Sequence, residues 1–191
     1  MKKEFSWNFN LKKKYNIIYA DPPWKYSTTN VTKKYPCVPI KEIQNFPINQ
    51  ICDDNCALFL WATCPILPEC IATLKRWGFR YVTVAFTWIK KNKCNDQPFM
   101  GLGNWTRSNT EICLLGLRGK LARKSNKVRQ VVLSPLREHS RKPDEIRDYI
   151  VELLGDLPRI ELFARQTVKG WDCWGNETKK FNSEELRRNQ H

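Results

Sequence analysis

No stretch of this 191-residue chain is apolar for long enough to cross a lipid bilayer. The N-terminus, Met1-Lys2-Lys3-Glu4-Phe5-Ser6, is basic, but no apolar core follows it, so a signal peptide is not expected. No G-x-G-x-x-G occurs, which removes the usual sequence support for a nicotinamide enzyme. The 8 cysteines include no C-x₂-C pair, and several lie inside hydrophobic runs. They read as reduced, buried small hydrophobes of a cytosolic protein. A zinc site could only be forced from Cys52, Cys56, Cys64 and Cys70, and no metal is expected. Histidine is scarce, and His139, the one internal copy, is assigned no role. Internal repeats, low-complexity segments, a helix-turn-helix, a zinc finger and an RNA-recognition motif are all absent from the sequence.

What the chain has in excess is positive charge. Its net charge of +14 favours a polyanionic partner, nucleic acid first and an acidic membrane surface second. A hydrophobic content of 41% is adequate for a folded core. One domain over 1–191 is the simplest division, with a basic segment at 1–14 and a polar basic tail at 178–191.

The hydrophobic pattern alternates strands and helices. Tyr15–Ala20 reads as a buried strand and 25–38 as a loop that closes over a site. Pro39 to Phe46 reads as a helix, 57–63 as a strand and 65–77 as a helix stopped by Gly78. Strands follow at 79–89, 111–117 and 131–133, then a helix over 143–154 and a strand over 159–164. The expected fold is therefore a mainly parallel α/β sandwich. Residues 90–110 form a long loop, and 118–129 hold six Lys/Arg and no acid, which reads as a mobile basic loop.

Asp21-Pro22-Pro23-Trp24 ends the first strand, the place where open α/β sheets bind ligands. The prolines fix φ and remove two donors while keeping their carbonyls as acceptors. An acid, bare carbonyls and an indole on a stiff turn suit a planar group that carries an NH₂. An ordinary strand-ending turn is the plain alternative.

This turn is followed in order by Leu58-Phe59-Leu60-Trp61-Ala62-Thr63, Trp88-Ile89-Lys90, Arg141-Lys142-Pro143-Asp144-Glu145 and Ile160-Glu161-Leu162-Phe163-Ala164-Arg165, then Trp171 and Gly175-Asn176. Together the blocks, over about Tyr15 to Glu177, resemble the MTA-seventy family of D-P-P-W adenine-N6 methyltransferases, in its small phage or bacterial form. The resemblance implies a Rossmann-like methyltransferase fold, permuted so that the catalytic motif precedes the cofactor motif, with S-adenosylmethionine as donor. It implies catalysis at Asp21, Pro22, Pro23 and Trp24. It implies donor contacts at Asp21, Lys142, Leu162, Phe163, Arg165, Asn176 and Glu177, and it places Tyr35 beside donor and target. Lys142 could meet the donor's carboxylate or a phosphate, and Trp24 could stack on the base or brace the turn. The segment between Arg165 and Asn176 is shorter than in the eukaryotic enzyme.

The substrate side is read from aromatic and basic residues. Tyr35, Trp105, Arg107, Lys120, Arg123 and Lys124 suit base stacking with phosphate contact. The expected partner is nucleic acid, DNA ahead of RNA, with a homodimer or a partner subunit as further arrangements. A silent nucleic-acid-binding subunit is the competing function.

Overall fold

The computed structural model describes residues 13–25, 37–103, 105–138 and 140–182. Tyr35 and His139 therefore lie outside the described residues, as do most of the loop expected at 25–38 and most of both terminal segments. The elements run β1 (Tyr15–Ala20), α1 (Ile40–Gln44), β2 (Cys52–Ala62), α2 (Leu67–Arg76), β3 (Arg80–Lys91), β4 (Thr110–Arg118), β5 (Val131–Pro135), α3 (Glu145–Leu154), β6 (Arg159–Leu162) and β7 (Asp172–Trp174).

The seven strands form one sheet in the order β5-β3-β4-β2-β1-β6-β7. Its pairings make β4 the one strand that runs against the other six. This is the mostly parallel α/β sheet that the resemblance implies, with β1, the strand that leads into the D-P-P-W turn, lying between β2 and β6. Alternation along β1 builds both layers. Ile18 and Ala20 point into a core with Ile43 of α1 and with Cys70 and Leu74 of α2. Ile17 and Tyr19 point into a second core with Ile146 and Ile150 of α3. All nine of these residues are essentially inaccessible, each large aliphatic contributing about 1.5–3 kcal/mol by leaving water. No helix among the described residues is long and apolar enough to cross a membrane.

Three expectations change. β2 begins at Cys52 rather than 57, because an irregularity in its pairing with β1 between Tyr15 and Ile17 carries polar Asp53-Asp54-Asn55 along the strand. β7 was not expected. Three residues give too short a hydrophobic signal, and the strand exists through its pairing with β6. The loop at 118–129 is pinned rather than loose. The Lys124 and Ser125 amides donate to Leu153 O at 2.7 and 3.3 Å, and the Lys120 amide donates to Asn55 Oδ1 at 2.7 Å.

Candidate active site

Six strands end along one edge of the sheet, and antiparallel β4 begins there. Its register, with Ala62 opposite Ile112 and Trp88 opposite Glu111, sets Glu111 beside the ends of β2 and β3. A cleft of about 1040 Å³ opens along this edge, lined from Asp21–Trp24 on one side to Asn176 and Glu177 on the other.

The turn is tightly held. The Trp24 amide donates to Pro22 O at 2.8 Å, and the Val38 amide donates to Pro23 O at 2.8 Å. The Pro22 carbonyl thus keeps one lone pair for a ligand rather than two. The Trp24 indole donates to Trp61 O at 3.0 Å, and the ring is 4% exposed. Trp24 borders the cleft and braces the turn. Losing that buried bond would strand a donor, at about 1–3 kcal/mol. Trp61 in turn donates to the Tyr19 hydroxyl at 2.7 Å, so the Phe59-Leu60-Trp61 block and the D-P-P-W turn form one unit.

A ladder of alternating charge crosses the floor. Lys142 Nζ lies 2.7 Å from Asp21 Oδ2 and 3.2 Å from Glu111 Oε2, and Lys90 Nζ lies 2.7 Å from Glu111 Oε1. The Lys142 side chain is only 8% exposed. Burial works against its charge, but Asp21 and Glu111 outweigh it and keep the ammonium protonated. Burial also opposes ionisation of Glu111, and Lys142 and Lys90 overcome it, so this carboxyl sits below its ordinary range. At Asp21 burial wins over Lys142, and the carboxyl is more basic than usual.

Lys142 reaches the ladder because its neighbours are fixed. Asp144 accepts from Arg141 at 2.9 Å, Arg147 at 3.1 Å, Gln166 at 2.6 Å and also Arg137. Ser140 takes a positive φ of 62°, which turns the chain into the Arg141–Asp144 segment. Behind it, Arg147 grips Glu161 through two bonds of 2.7 and 2.9 Å and ties α3 to β6.

The far wall is the end of β6 and β7. Phe163 sits at φ 59°, a strained position for a bulky residue, and its ring packs on Phe46 and Trp174 with centroids 5.4 and 5.7 Å apart. The Ala164 amide donates to Trp174 O at 2.9 Å. Gly175 is forced here, since a Cβ would lie 2.6 Å from Ala164 O. Arg165 Nε bonds Glu177 Oε2 at 3.0 Å, and Glu177 also meets Lys180 at 2.5 Å.

Of the residues singled out from sequence, Asp21, Pro22, Pro23, Trp24, Lys142, Phe163, Arg165, Asn176 and Glu177 all line this cleft. Leu162 does not: its side chain is fully buried in the core, and its carbonyl accepts the Asp21 amide at 3.5 Å. Trp105 and Arg107 are exposed on the segment between β3 and β4, whose Phe99, Leu102, Gly103 and Ser108 form part of the cleft wall. Lys120, Arg123 and Lys124 are not brought to the cleft. They follow Arg118, the last residue of the antiparallel strand, and so lie at the opposite edge of the sheet. From sequence Glu111 could line the pocket or be a plain strand-edge acid, and its pairing with Lys90 was not expected. The choice depends on the direction of the strand, which the antiparallel register of β4 supplies.

The MT-A70 family model matches residues 15–177, from the first residue of β1 to Glu177. The chain belongs to the MT-A70 family. Among its relatives is a Mycoplasma protein named type II methyltransferase M.MunI, 35% identical over 190 residues that cover 87% of this chain and 78% of the relative. The human N(6)-adenosine-methyltransferase catalytic subunit METTL3 is 29% identical over 168 residues, 86% of this chain and 28% of its own length. Human N(6)-adenine-specific methyltransferase METTL4 is 27% identical over 191 residues, 90% of this chain and 39% of its own. This MT-A70 chain thus spans well under half of those two human relatives.

Proposed function

We propose that this MT-A70 chain transfers a methyl group from S-adenosylmethionine to the exocyclic N6 of adenine in nucleic acid, DNA ahead of RNA. The observation that carries the reading is Asp21 at a strand's end, in one cleft with Lys142 and with the β6–β7 wall. The preference for DNA is supported by the type II methyltransferase that the chain matches over most of that relative's length.

The donor set fits such a cofactor. A buried ammonium, Lys142, suits a carboxylate, while the Glu177 and Asn176 side chains and the Arg165 guanidinium suit ribose hydroxyls. When bound, the donor supplies an electrophilic methyl on a sulfonium centre. The remaining steps are positioning by the chain's own groups. Lys142 engages Asp21 through Oδ2, and Oδ1 is the oxygen assigned to one N–H of the target amino group. The second lone pair of the Pro22 carbonyl takes the other N–H. Held this way, the nitrogen turns its lone pair towards the β6–β7 wall. The carboxylate then stabilises the positive charge that grows on that nitrogen, and its raised basicity suits it to receive the released proton.

Calorimetric titration of the donor into the wild type and Arg165→Ala tests the reading, together with transfer of labelled methyl groups to adenine-containing DNA. Saturable binding weakened by the substitution is expected. Absence of donor binding by the wild type would leave the silent-subunit alternative.

A further inference from the structure

The segment between β3 and β4 is a narrow tongue. Its base is laced to the sheet: the Phe99 amide donates to Lys90 O at 2.7 Å, the Lys90 amide to Asn109 O at 2.8 Å and the Asn92 amide to Gln97 O at 3.0 Å. Lys91 also pairs with Pro98 as a β-bridge. Further out its two arms touch. A Cβ on Gly101 would lie 2.0 Å from Ser108 O, and one on Gly103 would lie 1.9 Å from Thr106 O. Only glycine permits that approach, and it leaves no room for side chains between the arms. The larger residues are thrown outward: Trp105 is 99% exposed, Leu102 88% and Met100 74%. Three large exposed apolar side chains along one tongue, with Leu102 at the cleft wall, mark a contact surface.

The surroundings favour nucleic acid as the partner. Leu102 and Gly103 form part of the cleft wall, so the tongue borders the same cleft as Asp21. Arg107 lies two residues after Trp105 on the exposed segment, and Lys93 lines the cleft, so the tongue carries cations suited to phosphates as well as a flat ring. A tongue two backbones wide suits insertion into a groove more than docking on a broad face. An adenine within a duplex must leave the stack to reach Asp21, and its departure leaves a gap of one ring's thickness.

We infer that the substrate is duplex DNA and that Trp105 fills the gap left by the extruded adenine, with Leu102 beside it at the cleft mouth; this rests on the adenine-N6 reading above. The tongue is then the part that opens the duplex, and a strand already unpaired does not need it.

The test is initial-rate labelling of sheared genomic DNA, native and heat-denatured, by the wild type, Trp105→Ala and Trp105→Phe. Trp105→Ala is expected to lose about tenfold or more on native DNA and to stay within about threefold of wild type on denatured DNA, and Trp105→Phe to recover most of the loss. Equal losses on both forms, no loss on either, or a wild type active on denatured DNA alone overturns the inference and leaves the adenine-N6 reading standing. Wild-type failure to label either form overturns both. Light scattering closes the remaining route: a wild-type dimer split by Trp105→Ala, with both rates falling together, assigns the tongue to a protein interface and overturns the inference.

Discussion

At the cleft edge of the sheet, cations are threaded between acids. Lys142 sits between Asp21 and Glu111, Asp144 collects three arginines, and Arg165 and Lys180 share Glu177. At the opposite edge Lys120, Arg123 and Lys124 are exposed, and the bonds that fix their segment come from main-chain amides rather than from their charged ends. The two edges are similarly rich in basic residues and differ in what surrounds them. Counting lysines and arginines along the sequence therefore does not separate the cleft edge from the other. Charge acquires chemical use where burial makes each group depend on its neighbour, since only there is the field strong and directional.

The comparison breaks most readily at Asp21. Asp21→Ala is expected to lower methyl transfer by about a thousandfold, the scale of losing a buried electrostatic stabiliser, with donor affinity retained in calorimetry. A near-normal rate would place the chemistry elsewhere. Next in size is the Arg147–Glu161 pair, in which both partners are buried. Glu161→Ala strands most of a buried guanidinium, and urea unfolding is expected to show a loss of about 3–5 kcal/mol.

A smaller effect follows from pH. Glu111 and Asp144 both ionise below their ordinary range: burial opposes this, and Lys142 and Lys90 at the first, Arg137 and Gln166 at the second, overcome it. Their folded forms therefore bind fewer protons than the unfolded chain in acid. The stability they give is present above about pH 4 and is lost as pH falls below it. Melting temperatures between pH 6 and pH 3 should show that acid limb, and Asp144→Asn should flatten it. Asp21, shifted upward by burial, contributes in the opposite sense. The smallest change is expected at the far edge. Glutamine at positions 120, 123 and 124 together should leave methylation of an oligonucleotide just long enough to fill the cleft within about twofold, with its salt slope unchanged. A tenfold loss or a flatter slope would bring that edge into the binding path.

Much of this was legible in the residues. β1, α2 and α3 carry strong apolar patterns, and each is formed close to where the pattern placed it. The D-P-P-W turn was legible as a stiff acceptor-rich corner, and the motif blocks gave nine residues that the fold gathers into one cleft. What sequence could not supply were relations between distant segments. Trp24 offered two roles, and the bracing one rests on the Trp61 carbonyl, 37 positions away. Leu162 shares a motif with Phe163, but strand alternation buries one and the positive φ of the next presents the other. Glu111 became part of the site, and Lys120, Arg123 and Lys124 fell outside it, for one reason: the direction of β4.

That single reversed strand has a consequence for how the family can diversify. Had β4 run with the others, a crossover connection would have had to pack over the sheet, and its sequence would be bound to the core. Reversal makes the connection a hairpin closed by its own flanking strands. Loop closure is nearly indifferent to length, each doubling adding about 0.6 kcal/mol. The 92–109 segment can therefore be lengthened, shortened or exchanged beside an unaltered Asp21 and Lys142. On the inference drawn from the tongue, substrate choice and chemistry sit on separately replaceable parts, and grafting this one segment between relatives should change the target while leaving methyl transfer intact.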